Sequence, residues 1–328
     1  MEKIRIGVIG LGHNGRAFCD RYAKLPVCVL AAVCDTDESR LKDAKDTYAG
    51  VRGYKDYTIL QDGGIDAISI HTSDNLHAEP FVKALEAGFH VFVEKPMADT
   101  ADDVRTMVAA YRKHKDKTAL VGHVLRYDKY FTLVKQLVGQ GSLGEIFYME
   151  ADYIHDLRYQ LKMEDWKITR ESPMIGGGCH PLDILRWLVG DAMEVSAMSN
   201  HIAYPEMKMD ATITATFKFA NGAVGKVTTL YGNASPRPYG FNLSVYGTLG
   251  SIVRDKISFN GLGEEWLPLP DGFDTHHDYT PEILHFIDCI RTGSKPLITP
   301  EDAANTVLAG LTAVESCIEK RTLAIPAV

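Results

Sequence analysis

The chain has 328 residues and a formal net charge of -8, with 45% hydrophobic and 24% charged residues. This length predicts two domains, and the acidic charge without a basic run argues against nucleic acid as a main partner. No apolar stretch approaches the roughly 18 residues of a membrane-spanning helix, and no secretory leader is expected. The six cysteines lack C-x-x-C spacing, which indicates reduced thiols in a cytoplasmic protein rather than a zinc site.

The first predicted element is a strand over residues 4–9, which runs directly into a G-x-G-x-x-G pattern and a helical stretch. In this position the pattern is typical of a dinucleotide-binding turn. Its first glycine permits the tight turn, its second lets a pyrophosphate approach the backbone, and its third allows close helix packing. The free N–H groups of the helix point at the phosphates. The predicted cofactor-binding residues of this turn are Gly10, Gly12, His13, Asn14 and Gly15.

A second buried strand over residues 29–34 ends at Asp35, near the spacing at which an acidic residue binds the ribose 2′-hydroxyl of NAD. A carboxylate there repels a 2′-phosphate, and Thr36 and Asp37 follow rather than a neutralising cation. NAD is therefore favoured over NADP. Arg40 lies a few residues on, and its reorientation is the one local feature that weakens this preference.

Helices and strands alternate as far as Gly122, which predicts βαβ units and a doubly wound parallel sheet. The first domain is therefore expected over residues 1–122 as an α/β Rossmann domain. The helices predicted after Asp35 are residues 38–48, 79–86 and 101–114, and the strands are residues 67–71, 91–93 and 119–122.

The second half, residues 123–328, has β-rich segments separated by turns such as Asn221-Gly222, which predicts an α+β domain with an open-faced, mainly antiparallel sheet. Helices over residues 281–291 and 300–319 are expected to cover part of this sheet. An uncovered face needs a partner, so a homodimer or homotetramer through the open sheet is expected. The other segments are a helix over residues 129–138 and strands over residues 145–153, 195–201, 211–219, 224–231, 241–246 and 251–254.

Ligands of an open α/β sheet bind beyond the carboxyl ends of its strands, where Glu94-Lys95-Pro96 lies. A charged pair at the end of a buried strand is costly without partners. The proline restricts Lys95 to an extended conformation and could form a cis bond, so the ammonium would point in a fixed direction. A surface ion pair before a turn is an equally good reading of these residues alone.

A second candidate is the run Gly176-Gly177-Gly178 followed by His180 and Asp183 at the start of a predicted helix. The two side chains are three residues apart and share a helix face. The helix dipole disfavours the imidazolium of His180, which keeps the ring able to accept a proton. For an isolated H-x-x-D, a capping histidine with a solvated aspartate is the simpler interpretation.

Together, the opening glycines, Glu94-Lys95-Pro96, Gly122 with Arg126-Tyr127, and the G-G-G…H-x-x-D-x-x-R-W-L segment resemble the Gfo/Idh/MocA oxidoreductase family over nearly the full chain. The resemblance implies a Rossmann domain that binds NAD(P), an open-sheet domain, and a sugar, cyclitol or related polyol over the nicotinamide. It also implies dimers or tetramers packed through the sheets.

The resemblance also implies residue roles. Lys95 matches a lysine that contacts the substrate hydroxyl and the nicotinamide ribose, and His180 matches the general acid/base. Asp183 matches a residue that binds substrate. Further cofactor contacts are expected from Thr72, Asn75, His77 and Glu94, and further substrate contacts from Arg126, Tyr127, His155 and Trp166. Where many members carry an aspartate four residues before the histidine, this chain has Gly176.

Either His180 and Lys95 suffice, or another side chain supplies the group that Gly176 lacks. The candidates are Asp152, His155, Asp156 and Asp183.

The leading functional hypothesis is hydride transfer between a secondary alcohol and NAD, with His180 as the base and Lys95 stabilising the alkoxide. An NAD-dependent glycosidase or lyase that oxidises its substrate only transiently is the second hypothesis. A sugar- and NAD-sensing regulator is the third, disfavoured because both Lys95 and His180 are present. A metal enzyme is weaker still, since only H-x-x-D resembles ligand spacing.

Overall fold

The computed structural model describes residues 2–157, 170, 172–232, 239–261, 265–270 and 277–328. The chain divides into two compact units, and the first change of unit follows His123. The first unit comprises residues 1–123 and 278–304 with Val328, and the second comprises residues 124–277 and 305–327. The first unit therefore includes a late segment that the sequence analysis assigns to the second domain.

The secondary structure alternates in the first part of the chain and is rich in strands in the second. The helices are α1 (His13–Lys24), α2 (Glu38–Thr47), α3 (Ala78–Glu86), α4 (Ala101–Lys113), α5 (Lys129–Gly139), α6 (Pro173–Gly176), α7 (Cys179–Val189), α8 (Thr280–Thr292) and α9 (Pro300–Glu319). The strands are β1 (Ile4–Ile9), β2 (Cys28–Cys34), β3 (Arg52–Tyr54), β4 (Ala67–Ile70), β5 (His90–Glu94), β6 (Ala119–Gly122), β7 (Ile146–His155), β8 (Ala192–Asn200), β9 (Thr212–Phe219), β10 (Val224–Leu230), β11 (Tyr239–Gly247), β12 (Gly250–Val253), β13 (Lys256–Phe259), β14 (Leu267–Pro268) and β15 (Leu323–Ala324). Among the described residues, three short 3₁₀ turns lie at Tyr57–Gln61, Asp74–Leu76 and Val124–Tyr127.

The first unit contains a parallel sheet in the order β3-β2-β1-β4-β5-β6. The predicted doubly wound α/β fold is confirmed. Strands such as β4 are buried at every position, as expected when helices cover both faces of a parallel sheet. The strand order reverses between β1 and β4. In such folds ligands bind at this point, beyond the carboxyl ends of the strands. Strand β3 is not among the predicted strands because three residues are too few to show a periodic pattern.

Helix α8 belongs to the core of the first unit, so the prediction that it covers the antiparallel sheet is wrong. Its buried residues Ile283, Phe286 and Ile287 join a hydrophobic cluster that contains Ile6 and Val8 of β1. The apolar stripe of an amphipathic helix shows which of its faces is buried but not which sheet it packs against. Helix α9 does contact the second sheet, since Ser316 accepts a 3.0 Å hydrogen bond from the Ala197 N–H of β8.

The second unit contains a sheet in the order β14-β13-β12-β11-β7-β10-β9-β8-β15. Its described pairs are antiparallel except β7 with β10, so the predicted mainly antiparallel sheet is confirmed. Burial alternates along β9 and β10, because one side of the sheet is packed and the other is half exposed. None of the helices in the described part of the chain is long and apolar enough to cross a membrane.

Candidate active site

The turn after β1 has the geometry of a dinucleotide-binding loop. Gly10 has a φ of +92°, which favours glycine, and a Cβ at Gly15 would lie 1.9 Å from the Gly10 carbonyl oxygen. A Cβ at Gly12, in contrast, would meet no atom within 4 Å. Helix α1 begins after Gly12 without a side-chain cap or an acidic residue in its first turn. These features leave room and uncapped N–H groups for a pyrophosphate, so the residues fit the predicted cofactor.

Asp35 follows β2, and its buried carboxylate holds the glycine turn. One oxygen accepts the Leu11 N–H at 2.7 Å, and the other accepts the Asp37 N–H at 2.9 Å. Arg40 lies 3.6 Å from Asp35 and 3.5 Å from Asp37, so two carboxylates hold this guanidinium. The charge near the expected ribose position therefore includes one arginine and two aspartates, which keeps the bias against a 2′-phosphate.

The loop after β4 contains three predicted cofactor residues. Thr72 donates a 3.2 Å hydrogen bond to the Leu76 carbonyl, and Asn75 is half-buried in the short turn that follows. His77 is fully buried, with Nδ1 3.0 Å from the Pro96 carbonyl and Nε2 3.1 Å from the Thr72 carbonyl. Burial lowers the pKa of His77 to about 4. This histidine therefore joins two loops of the unit, and a direct contact with the cofactor stays a prediction.

Glu94 and Lys95 lie where β5 ends, beside the loop that follows β4. The Glu94 carboxylate is 5% exposed, and its Oε2 accepts the Lys95 N–H at 3.1 Å. Lys95 is half-buried and is followed by a cis peptide bond to Pro96. The burial of Glu94 favours the interpretation of this pair as part of a site over a solvated surface pair.

In the second unit, His180 lies in the first turn of α7 and is 3% exposed. Its ring stacks on Tyr153, with centroids 5.9 Å apart and planes at 13°, and on His277, at 5.4 Å and 21°. A Cβ at Gly177 would lie 2.4 Å from the Tyr153 ring, so the glycine run lets β7 approach the start of this helix. His180 is therefore held by two flat rings in one orientation.

Successive side chains of β7 lie on opposite sides of the sheet. This separates the residues that could replace the family aspartate absent at Gly176. Tyr153 and His155 lie on the packed side of the sheet, and the Tyr153 hydroxyl is 3.1 Å from His155 Nδ1. Asp152 lies on the opposite side, where it accepts a 3.3 Å hydrogen bond from Asn242. Asp152 therefore does not lie beside Tyr153 on the packed side of the sheet. His155 remains the candidate with a described link to the ring that stacks on His180, and Asp156 is buried next to it.

Asp183 and Arg126 form a buried ion pair within the second unit. The Arg126 guanidinium donates two hydrogen bonds to the Asp183 carboxylate, at 2.8 and 2.7 Å, and the two side chains are 4% and 1% exposed. The Thr306 hydroxyl donates a third hydrogen bond to Asp183 at 3.0 Å. These contacts satisfy the carboxylate inside the unit, so the predicted substrate contacts of Asp183 and Arg126 stay predictions.

Of the two other predicted substrate residues, the structure describes Tyr127 but not Trp166. Tyr127 is half-buried at the end of the turn that contains Arg126. Trp166 lies outside the described residues. Tyr153 and His277, which contact His180 from distant parts of the chain, were not predicted from the sequence. The alternation of Tyr153 with His155 was the only available sign that they share a side of β7.

No group of three or more His, Cys, Asp or Glu side chains is placed to hold a metal ion in the described part of the chain. The six cysteines are free thiols, and all but Cys317 are buried.

Two family models match nearly the whole chain. The model of an oxidoreductase family with an NAD-binding Rossmann fold matches residues 4–123, and the model of the C-terminal alpha/beta domain of that oxidoreductase family matches residues 135–325. The myo-inositol 2-dehydrogenase of Thermotoga maritima is 26% identical, with 98% of each chain covered.

A solved structure of levoglucosan dehydrogenase in complex with NADH superposes with a TM-score of 0.89 and 23% identity, over 100% of both chains. This likeness shows the fold. A family 109 glycosyl hydrolase protein of Shewanella baltica is 32% identical, but over only 51% of this chain and 38% of its own length.

Proposed function

Because the chain belongs to the Gfo/Idh/MocA oxidoreductase family, with both of its domains present, we propose that it is an NAD-dependent polyol dehydrogenase. It transfers a hydride between a secondary alcohol of a sugar, cyclitol or related polyol and the nicotinamide. The family predicted from the motifs is confirmed, as are its oxidoreductase class and an NAD-binding Rossmann domain. The observation that carries the proposal is the full-length similarity to an inositol dehydrogenase, combined with a glycine turn whose geometry fits a dinucleotide.

The proposed chemistry divides between two side chains. A bound NAD would supply the hydride acceptor for the carbinol carbon. His180 accepts the proton of the substrate hydroxyl, a role that suits an imidazole held in one orientation by Tyr153 and His277. Lys95 stabilises the negative charge that develops on the substrate oxygen, as a preorganised ammonium can. The ion pair of Asp183 with Arg126 is proposed to hold α7, which carries His180, in place.

The proposed cofactor contacts come from residues at the carboxyl ends of the strands in the first unit. The glycine turn with His13 and Asn14 binds the pyrophosphate, and Asp35 binds the adenosine ribose. Thr72, Asn75, His77 and Glu94 form the loops beside the nicotinamide. Tyr127, His155 and Trp166 are proposed substrate contacts.

We expect NADH to accumulate when the purified protein is mixed with NAD and its substrate. The measurement is an absorbance screen of sugars, cyclitols and their keto forms against NAD(H) and NADP(H). The matched control is the same screen with Gly15→Val, in which the new side chain would collide with the Gly10 carbonyl and block the turn. Failure of the wild-type protein to bind either coenzyme would overturn the proposal.

An NAD-dependent glycosidase or lyase is the second candidate. It is supported by the similarity to a family 109 glycosyl hydrolase protein over half of the chain, and by Gly176 in place of the family aspartate. In this reaction the substrate would be oxidised next to the glycosidic carbon and would lose a proton and the leaving group by elimination. In the glycosidase case water would add to the resulting double bond, and in both cases the hydride would return to the oxidised carbon. The enzyme would then release sugar product without any net accumulation of NADH, which the same screen distinguishes.

The preference for NAD over NADP should depend on the charge of Asp35. Asp35→Asn keeps an oxygen for the Leu11 N–H but removes the negative charge, so kcat/KM for NADP should rise at least about tenfold relative to NAD. The measurement is the ratio of kcat/KM values for the two coenzymes. Asp46→Asn, on the exposed surface of α2, is the control and should leave the ratio unchanged. An unchanged ratio in Asp35→Asn would show that another group sets the preference.

We also propose that the protein assembles as a homodimer or homotetramer through the half-exposed side of the second sheet. Strands β9 and β10 carry Thr212, Thr214, Lys226 and Thr228 on this side, which is a mixed polar surface of the kind that partner sheets cover. A cytoplasmic location is proposed because six free thiols suit a reducing compartment.

A further inference from the structure

Four buried polar side chains form a line through the interior of the first unit. The Tyr22 hydroxyl lies 2.9 Å from Ser69 Oγ, which lies 2.7 Å from His71 Nε2. On the other side of the ring, His71 Nδ1 lies 3.8 Å from Glu94 Oε1. None of the four is more than 6% exposed. Neither the glycine turn nor the proton transfer requires this line, so its presence calls for a separate explanation.

The surroundings of His71 keep its ring uncharged. The ring lies 4.2 Å from the Phe18 ring and 5.8 Å from the Phe92 ring, between centroids. Burial lowers the pKa of His71 to about 3. A neutral imidazole has one N–H donor and one acceptor nitrogen, so its two neighbours must play opposite roles.

One tautomer satisfies the whole line. If Nδ1 carries the hydrogen, it faces Glu94, Nε2 accepts from Ser69, and Ser69 accepts from the Tyr22 hydroxyl. In the other tautomer the Nδ1 lone pair would face the lone pairs of a carboxylate, which is repulsive. The 3.8 Å separation exceeds a hydrogen bond, so the contact is between an N–H dipole and a nearby carboxylate.

The line ends on the backbone of Lys95 and beside the glycine turn. Glu94 Oε2 accepts the Lys95 N–H at 3.1 Å, so a fixed carboxylate fixes the start of the Lys95-Pro96 segment. Burial and the charge of Glu94 raise the pKa of Glu282 well above its usual range. The His71 carbonyl oxygen lies 2.6 Å from where a Cβ of Gly10 would be.

We propose that His71 is a positioning residue for the dehydrogenase reaction, a role that rests on the proposed function. Its Nδ1–H dipole lies 3.8 Å from Glu94 and orients that carboxylate, whose Oε2 accepts the Lys95 N–H and so fixes the point from which the Lys95 side chain extends. No step of bond making is assigned to His71. Its contribution is to keep the ammonium of Lys95 on the developing oxyanion, so losing it should lower kcat rather than weaken substrate binding.

Two amide variants separate the two ring nitrogens. His71→Asn can place an N–H near the position of Nδ1, and His71→Gln places its amide near Nε2 instead. We expect kcat to fall about 10- to 100-fold in His71→Gln with KM for the polyol unchanged, and to be largely retained in His71→Asn. Both variants are compared by kcat, KM and thermal midpoint. Equal losses in the two variants, or losses that follow the thermal midpoint, would overturn the proposal.

A measurement on the unaltered holoenzyme covers the case in which a variant does not fold. Nitrogen-15 NMR of labelled histidine distinguishes the tautomers by the shifts of the two ring nitrogens. We expect His71 to be neutral with the hydrogen on Nδ1, and the Nε2–H tautomer would overturn the proposal. This reading needs no substrate, so it stays interpretable if the wild-type protein shows no dehydrogenase activity and the proposed function itself fails.

Discussion

The His180→Ala enzyme should turn over its polyol substrate about 10² to 10⁴ times more slowly than the wild type. The loss should appear in kcat, because the variant lacks the group that accepts the hydroxyl proton. Its affinity for NAD should be unchanged, since the proposed cofactor contacts lie in the first unit and His180 lies in the second. The measurements are steady-state kinetics and NAD binding by titration calorimetry.

The alanine also removes a ring that stacks between Tyr153 and His277. His180→Phe, which keeps a flat ring there but cannot accept a proton, should therefore lose as much activity as His180→Ala. The control is His201→Ala, a partly exposed histidine of the same unit that contacts Asp210 and should leave kcat unchanged. Equal losses of kcat and of NAD affinity in His180→Ala would contradict the proposed role.

The second unit should be about 3–5 kcal/mol easier to unfold in Asp183→Ala, because the Arg126 guanidinium is left buried without its carboxylate. The Thr306 hydroxyl loses an acceptor at the same time. Urea unfolding followed by tryptophan fluorescence measures the change, since the Trp187 ring lies 5.7 Å from the Arg126 guanidinium carbon. Such a loss is a large part of the stability of an ordinary domain.

Glu319→Ala is the matched control, because Glu319 also pairs with an arginine of the second unit, but the Arg321 side chain is 63% exposed. Its loss should be about 0–1 kcal/mol, as for other exposed pairs. The double variant Arg126→Met/Asp183→Leu should regain most of the stability that Asp183→Ala loses, because it leaves no unpaired charge. If Asp183→Ala lost no more stability than Glu319→Ala, the buried pair would not hold this part of the unit together.

Much of the first unit could be predicted because its signals are local. The alternation of apolar strands and amphipathic helices gave the doubly wound sheet, and the glycine pattern gave the turn after β1. The position of helix α8 in the chain was also predicted, but the sheet that it packs against was not. The stripe of Ile283, Phe286 and Ile287 would suit either sheet, and only the folded chain shows that it joins β1.

For the candidate site, the sequence indicated which residues share an element but not which side chains contact each other. His180 and Asp183 do lie on one helix, as their spacing indicated. Their partners come from distant elements: Tyr153 from β7 and His277 before α8 for the histidine, Arg126 and Thr306 for the aspartate. A buried ion pair and a charged residue facing a substrate have the same letters in a sequence, so burial must be seen to distinguish them.

The first unit is built from two stretches of chain, and this has a consequence for biosynthesis. The ribosome delivers residues 1–123 well before Ile283, Phe286 and Ile287, which complete the same core. Until those residues emerge, the nascent Rossmann half keeps an apolar surface open to solvent, a situation that favours engagement by chaperones. A chain that ends at the predicted boundary, residue 122, would leave this apolar surface exposed to solvent. Truncation there should therefore not give a stably folded coenzyme-binding fragment.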